Sequence, residues 1–223
     1  MSWRCSGRTN DELIDNLANR KIISSERVIS AMRSVDRAHF SPHSPYEDAP
    51  QYIGYSATIS APHMHGYALE GLCDTLRPGM HALDVGSGSG YLTACMAAMV
   101  GQHGKVVGID HISELVKESQ TALSQYYPEW ISSGRIRMVT GDGRDGYPPD
   151  APYDCIHVGA ASPERPEKLL AQLKAPGRMF VPVGKYSQQI VVYDKDSNGN
   201  IVQKDLMGVA YVPLTDEHEQ RVE

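Results

Sequence analysis

Leu83-Asp84-Val85-Gly86-Ser87-Gly88-Ser89-Gly90-Tyr91 places an apolar strand end, an acid and three alternating glycines ahead of a helix-forming run. The backbone must turn tightly there, which lets a polar ligand approach it closely. Lys105-Val106-Val107-Gly108-Ile109-Asp110 supplies a second strand ending in an acid, at the spacing of a strand-helix-strand unit. Such an acid is placed to accept both hydroxyls of a ribose, so the ligand reads as a nucleoside. The plain alternative is that the glycines only close a strand-to-helix turn.

The choice of cofactor rests on details. A dinucleotide loop, G-x-G-x-x-G, wants a small residue where this chain has Tyr91, and a pyrophosphate would be crowded at the helix entry. The extra carboxylate of Asp84 would repel a diphosphate and welcome a cation. S-adenosylmethionine carries a sulfonium and an ammonium and no phosphate, so it is preferred over NAD, with Asp84 and Gly86 among its expected neighbours.

Outward from this loop the chain alternates. Strands are expected at 81–85, 105–110, 135–140, 153–159 and 178–183, with helices near 90–100, 113–126 and 164–174, which implies a doubly wound, mostly parallel α/β sheet. Segments 188–193, 201–204 and 206–212 read as antiparallel strands that finish it, with Asn198-Gly199 in the turn of a hairpin. Thr9-Asn10-Asp11-Glu12 is a capping-box signal for a first helix, and a second is expected near Ser25. Residues 40–57, rich in Pro and Tyr, read as irregular. The expected organisation is one domain, 1–223: an N-terminal helical and irregular extension to 57, a cofactor-binding core at 58–183, and antiparallel strands and a tail at 184–223.

Ligands of such sheets bind at the carboxyl ends of the strands, so the polar residues there carry the functional information. Asp84 ends the first strand, Asp110 and His111 the second, and Gly141-Asp142-Gly143 the third. Asp142 could accept from an adenine amino group while Gly143 lets the ring approach. The competing role for each acid is to cap the helix or turn that follows.

The 223 residues carry a formal net charge of −6, which argues against a nucleic-acid backbone as the main partner. No apolar run approaches the ~20 residues that span a bilayer, and residues 1–20 have no apolar core of a secretory signal. Cys5, Cys73, Cys95 and Cys155 lie far apart without a C-x-x-C pair, as expected for reduced thiols in the cytosol, with no metal site.

Ala57-Thr58-Ile59-Ser60-Ala61-Pro62-His63-Met64-His65 precedes a helix whose apolar positions recur at helical spacing. Ser60 is the natural N-cap and Pro62 suits the first turn. A helix start can hold a carboxylate, and Ser60 can add a hydroxyl donor; capping alone remains open. His63 and His65, two residues apart, are poor joint metal ligands.

These stretches, with Tyr153-Asp154-Cys155-Ile156-His157-Val158-Gly159-Ala160-Ala161 and Tyr211-Val212-Pro213-Leu214-Thr215, resemble the protein-L-isoaspartate O-methyltransferase family from about Leu13 to Thr215, closest to its animal members. The resemblance implies a seven-stranded, Rossmann-like class I fold and transfer of a methyl group from S-adenosylmethionine to the free α-carboxylate of L-isoaspartyl, and also D-aspartyl, residues in damaged proteins. The ester then cyclises to a succinimide, which begins repair. It implies Ser60 at the acceptor site with Ala61, Val212 and Pro213, and Ala57, Thr58, Ile59, Ser60 and His65 over the cofactor. Ser89, Asp110, His111, Asp142 and Gly143 touch the adenosyl ligand, and Thr215 and Gln220 close over it. Tyr55 and Ser56 stand where the family has Phe and Gln, and the chain ends at Arg221-Val222-Glu223 instead of a longer basic or aromatic tail. A monomer is expected.

An isoaspartyl α-carboxylate ordinarily titrates at ~3.3–3.7 and is ionised at pH 7, so the chemistry needs positioning and no strong base. Backbone pairing of an extended peptide with Val209–Pro213 would tolerate many sequences. A small-molecule or RNA methyltransferase and a nonenzymatic cofactor sensor are the rival readings; no N-P-P-Y-like base-flipping motif is present.

Overall fold

A computed structural model describes residues 5–221; Val222 and Glu223, part of the divergent end, lie outside the described residues, as do residues 1–4. The chain begins with α1 (Asn10–Asn19) and α2 (Glu26–Ser34). Thr9 caps α1, its hydroxyl accepting from the Glu12 N–H at 3.2 Å, but Glu12 turns back to the Arg8 N–H and completes no box with Thr9. Ser25 precedes α2 without capping it; its hydroxyl donates to Glu70 at 2.7 Å, which ties α2 to a later helix.

The stretch read as irregular contains a hairpin, β1 (Gln51–Gly54) and β2 (Ala57–Ile59), followed by α3 (Pro62–Leu72). Its two turn residues, Tyr55 and Ser56, both adopt left-handed backbone, with φ of 54° and 51°. Next come β3 (His81–Val85), α4 (Tyr91–Val100), β4 (Lys105–Asp110), α5 (Ser113–Tyr126), the short α6 (Pro128–Ser132), β5 (Ile136–Thr140), β6 (Tyr153–Val158), α7 (Glu167–Gln172), β7 (Leu173–Val183), β8 (Gln188–Lys195), β9 (Ile201–Val209) and α8 (Glu217–Arg221).

The seven-stranded sheet has the order β5-β4-β3-β6-β7-β8-β9. β3 to β7 pair in parallel, and β8 and β9 join antiparallel. The helix expected over 164–174 is shorter, because Leu173 already starts β7 and pairs with Tyr153. Likewise 201–204 and 206–212 are not two strands. One strand, β9, runs to Val209, and Tyr211–Leu214 leaves the sheet edge to pair with Ala161 instead.

Strand alternation divides the core. Ala82, Val106, Cys155 and Phe180 pack on one face with α1 to α4 and part of α5, while Leu83, Val107, Ile156 and Met179 pack on the other with Leu169 and Leu170 of α7. Burial on both faces explains why the central strands read as continuous apolar runs. The winding reverses between β3 and β6, which opens a crevice at their carboxyl ends. No described helix is long and apolar enough to cross a membrane.

Candidate active site

Gly86, Gly88 and Gly90 all take left-handed backbone, with φ of 71°, 49° and 83°, where an L side chain would be strained. The turn thus brings Gly86 and Gly88 to the wall of a pocket at the crevice, beside Asp110 and His111 from β4 and Gly159 and Ala160 after β6. Asp110 is 8% exposed, and each of its oxygens accepts a backbone N–H, Gly88 at 2.9 Å and Ile112 at 3.0 Å. Burial holds its carboxyl above the usual carboxylate range against those hydrogen bonds. Each oxygen keeps a further lone pair for a hydroxyl. The capping role thus leaves acceptor capacity for a ligand on the same residue. Among the described residues no Lys or Arg lines the pocket wall, and Arg144 beside it is taken up by Asp142.

Ala57, Thr58, Gly143, Val212, Pro213, Thr215 and Gln220 also line this pocket. Asp142 lines it too, but its carboxylate is clasped by Arg144, whose Nη2 lies 2.7 Å away and holds it below the usual range. The structure thus gives the expected adenine acceptor a strong partner of its own.

Asp84 stands elsewhere than expected. It is 1% exposed, accepts from the Thr93 hydroxyl at 2.6 Å and meets His157 Nδ1 at 2.8 Å, and the pocket wall does not include it. Asp84 and His157 are register partners on β3 and β6, so the acid satisfies a buried histidine across the sheet. Ile59 belongs to the core, Ser89 borders a separate hollow beside Ala38 and Ile53, and His65 is buried against Arg37 and Tyr91. These three also lie off the pocket wall.

A second, wider cleft of about 480 Å³ adjoins the first and shares Thr58, Gly159 and Val212 with it. Ser60, Ala61, His63 and Tyr67 form one side and Met207–Tyr211 the other. Ser60 is not the helix cap: α3 starts at Pro62, Ala61 is the cap residue, and its carbonyl accepts from Met64 and His65. The Pro62 ring fixes the turn one residue later than expected. The Ser60 side chain instead shares the cleft wall with Tyr211, whose phenol burial pushes up to about 12. Pairing of a peptide along all of Val209–Pro213 is also corrected, because the Tyr211 N–H and C=O are held by Gln188 and the Val212 C=O accepts from Ala161.

The tail folds over the pocket mouth. Gln220 Oε1 lies 2.5 Å from His111 Nε2, and its amide donates to the Tyr55 carbonyl at 2.9 Å, while Arg144 reaches Asp216 at 2.5 Å. Gln220→Ala removes two hydrogen bonds that close the pocket. It is expected to weaken S-adenosylhomocysteine binding by about 0.5–1.5 kcal/mol, read as a faster off-rate in stopped-flow displacement. The more exposed Arg144–Asp216 pair, 41% and 61% exposed, is worth less, about 0–1 kcal/mol.

Comparison with known proteins agrees with this geometry. The family described as protein-L-isoaspartate(D-aspartate) O-methyltransferase matches residues 8–219. A protein-L-isoaspartate O-methyltransferase of Caenorhabditis elegans is 52% identical over 221 residues, covering 99% of this chain and 98% of that one. The chain belongs to the protein-L-isoaspartate O-methyltransferase family. A Triticum aestivum relative of the same name is 50% identical over 95% of this chain and 93% of its own. A Plasmodium falciparum crystal structure described under that family name, in complex with S-adenosyl-L-homocysteine, superposes with a TM-score of 0.88 at 33% identity, covering 94% of this chain and 99% of that one.

For a protein-L-isoaspartate O-methyltransferase, the sequence left several wall residues without a role: Ile109, Gly159, Ala160 and Leu214 at the pocket, and Pro50, Met64, Tyr67, Met207 and Gly208 at the cleft. Gly159 carried a usable signal, a glycine directly after a strand. A Cβ there would lie 2.9 Å from the Gly86 carbonyl, so the two strand ends approach too closely for a side chain. No group of three metal-ligating side chains occurs among the described residues. Burial raises the Cys5 thiol to about 11 and the Cys95 thiol to about 12, and no cysteine lines the pocket or the cleft. Replacing Cys5, Cys73, Cys95 or Cys155 singly is expected to leave methyl transfer per folded molecule unchanged. A variant that melts like the parent and binds cofactor, yet is inactive, would contradict this.

Proposed function

We propose that this chain, as one domain, methylates the free α-carboxylate of L-isoaspartyl residues, and also D-aspartyl residues, in damaged proteins and peptides. The observation that carries it is the pair of adjoining cavities, phosphate-unfriendly on one side and open to a chain on the other, sharing Thr58, Gly159 and Val212. S-adenosylmethionine supplies an electrophilic methyl group when bound. Asp110 would hold the ribose, Gly86 and Gly88 would give its chain close backbone approach, and His111, Asp142, Gly143, Thr215 and Gln220 would enclose the adenosine. The glycine backbone and the absence of cations on the wall fit such a ligand.

On the acceptor side, Ser60 with Ala61, Val212 and Pro213 would orient one carboxylate oxygen toward the shared wall. The Ser60 hydroxyl would donate to the acceptor, and among the described residues no Arg lines the cleft to quench the nucleophile. The resulting ester leaves and cyclises in solution, in keeping with a repair role. We further infer a cytosolic monomer that acts without nucleic acid or membrane, in line with the net charge of −6.

The test is methyl transfer from labelled S-adenosylmethionine to an isoaspartyl peptide, beside the same peptide with ordinary aspartate. Incorporation into the first and none above background into the second is expected. Equal labelling, or labelling of RNA instead, would contradict the reading.

A further inference from the structure

Arg37 heads the fully buried side chains among the described residues in size, and it is bonded to Ser60 on the wall of the cleft. Its Nη2 donates to the Ser60 carbonyl at 2.8 Å, its Nη1 lies 3.1 Å from His65 Nδ1, and its guanidinium stacks 5.2 Å over the Tyr91 ring. Among the described residues no carboxylate makes an ion pair with it, and its Nε has no partner. Burial draws Arg37 down to about 10, which still leaves it charged at neutral pH. His65 is driven well below its ordinary value, chiefly by burial and then by Arg37, so its neutral Nδ1 accepts from the guanidinium. Asp48 is the acid whose charge acts on Arg37; its Oδ1 meets the His63 N–H and Nδ1 at 3.0 and 2.8 Å, and its buried Oδ2 has no hydrogen-bond partner among the described residues.

A buried cation without a contact counter-ion is costly, and one partnered by a neutral imidazole, a ring face and a carbonyl projects its charge onto its surroundings. The carbonyl that receives it belongs to Ser60. We propose that Arg37 is a positioning residue for the acceptor: it fixes the Ser60–Ala61 turn through the Ser60 carbonyl, and its charge, which no carboxylate contacts, makes the cleft selective for an anionic acceptor over a neutral one. This gives a cleft without an Arg clamp a preference for carboxylate while leaving the attacking oxygen free of a strong direct donor. The inference rests on the cleft being the acceptor site.

The experiment measures the affinity of the S-adenosylhomocysteine-loaded protein for two peptides, one with isoaspartate and one with the neutral isoasparagine amide, in three variants. Wild type is expected to favour the carboxylate. Arg37→Met should reduce that preference about tenfold, with S-adenosylhomocysteine affinity within about twofold of wild type. Arg37→Lys should keep the preference within about threefold, because charge survives, while lowering kcat through the shortened reach to Ser60. Equal weakening of both peptides in Arg37→Met, or loss of the preference in Arg37→Lys, would overturn the proposal; the Lys variant decides alone if the Met variant does not fold. Ala210→Trp, which fills the cleft wall, separates the two readings. It should abolish binding of both peptides, and if it leaves them bound, the acceptor is elsewhere and the cleft reading fails first.

Discussion

Ser60→Ala is expected to lower single-turnover methyl transfer to an isoaspartyl peptide by on the order of 10²-fold, the scale set by losing orientation of a reacting atom. S-adenosylhomocysteine affinity should stay within about twofold, because Ser60 lines the cleft and not the cofactor pocket. Stability separates this from the capping role. A lost N-cap costs ~0.5–2 kcal/mol, but Ala61 is the cap residue and α3 has no side-chain cap bond, so melting should move little. An effect on kcat without one on cofactor affinity marks an interaction made mainly on the way to the transition state. Ser60→Thr keeps the hydroxyl with a restricted rotamer and should keep partial activity. A normal rate in a folded Ser60→Ala would remove the residue from the chemistry.

Asp110→Ala is expected to weaken S-adenosylhomocysteine binding by about 1–3 kcal/mol, roughly 5- to 150-fold, since two ribose hydroxyls and two backbone N–H groups would lose an acceptor in a buried site. Because Gly88 and Ile112 depend on the same carboxylate, the loop itself should loosen, and the empty protein should melt lower. Asp110→Asn keeps one acceptor oxygen and the shape, so it should fall between. Calorimetry on both variants checks this. Unchanged affinity in a folded Asp110→Ala would take Asp110 out of the site.

How much of this was legible follows from where each signal lives. The glycine loop was readable because backbone geometry writes itself into residue type: Gly86, Gly88 and Gly90 occupy φ values that other residues avoid. Asp110 was readable from strand-end logic, and the pocket holds it where expected. Asp84 was misplaced because its partner, His157, is 73 residues away and adjacent only through β3–β6 pairing. His157, inside the fully buried strand Tyr153–Val158, was the available hint that an acid must answer it. The hairpin of β1 and β2 was invisible for a local reason: its turn is Tyr55-Ser56, without the Asn-Gly or Asp-Gly that such left-handed turns favour. The strand expected at 178–183 begins earlier, at Leu173, because it runs through Pro176 and Gly177, residues that interrupt a strand pattern in sequence.

A methyl donor and a carboxylate are expected to meet where the two cavities share Thr58, Gly159 and Val212. The decisive measurement is a crystal structure with S-adenosylhomocysteine and an isoaspartyl peptide. The ligand sulfur should lie at that shared wall and the peptide α-carboxylate within about 2.6–3.2 Å of the Ser60 hydroxyl. A peptide bound outside the cleft, or a carboxylate walled off from the sulfur and out of reach of Ser60, would overturn this reading.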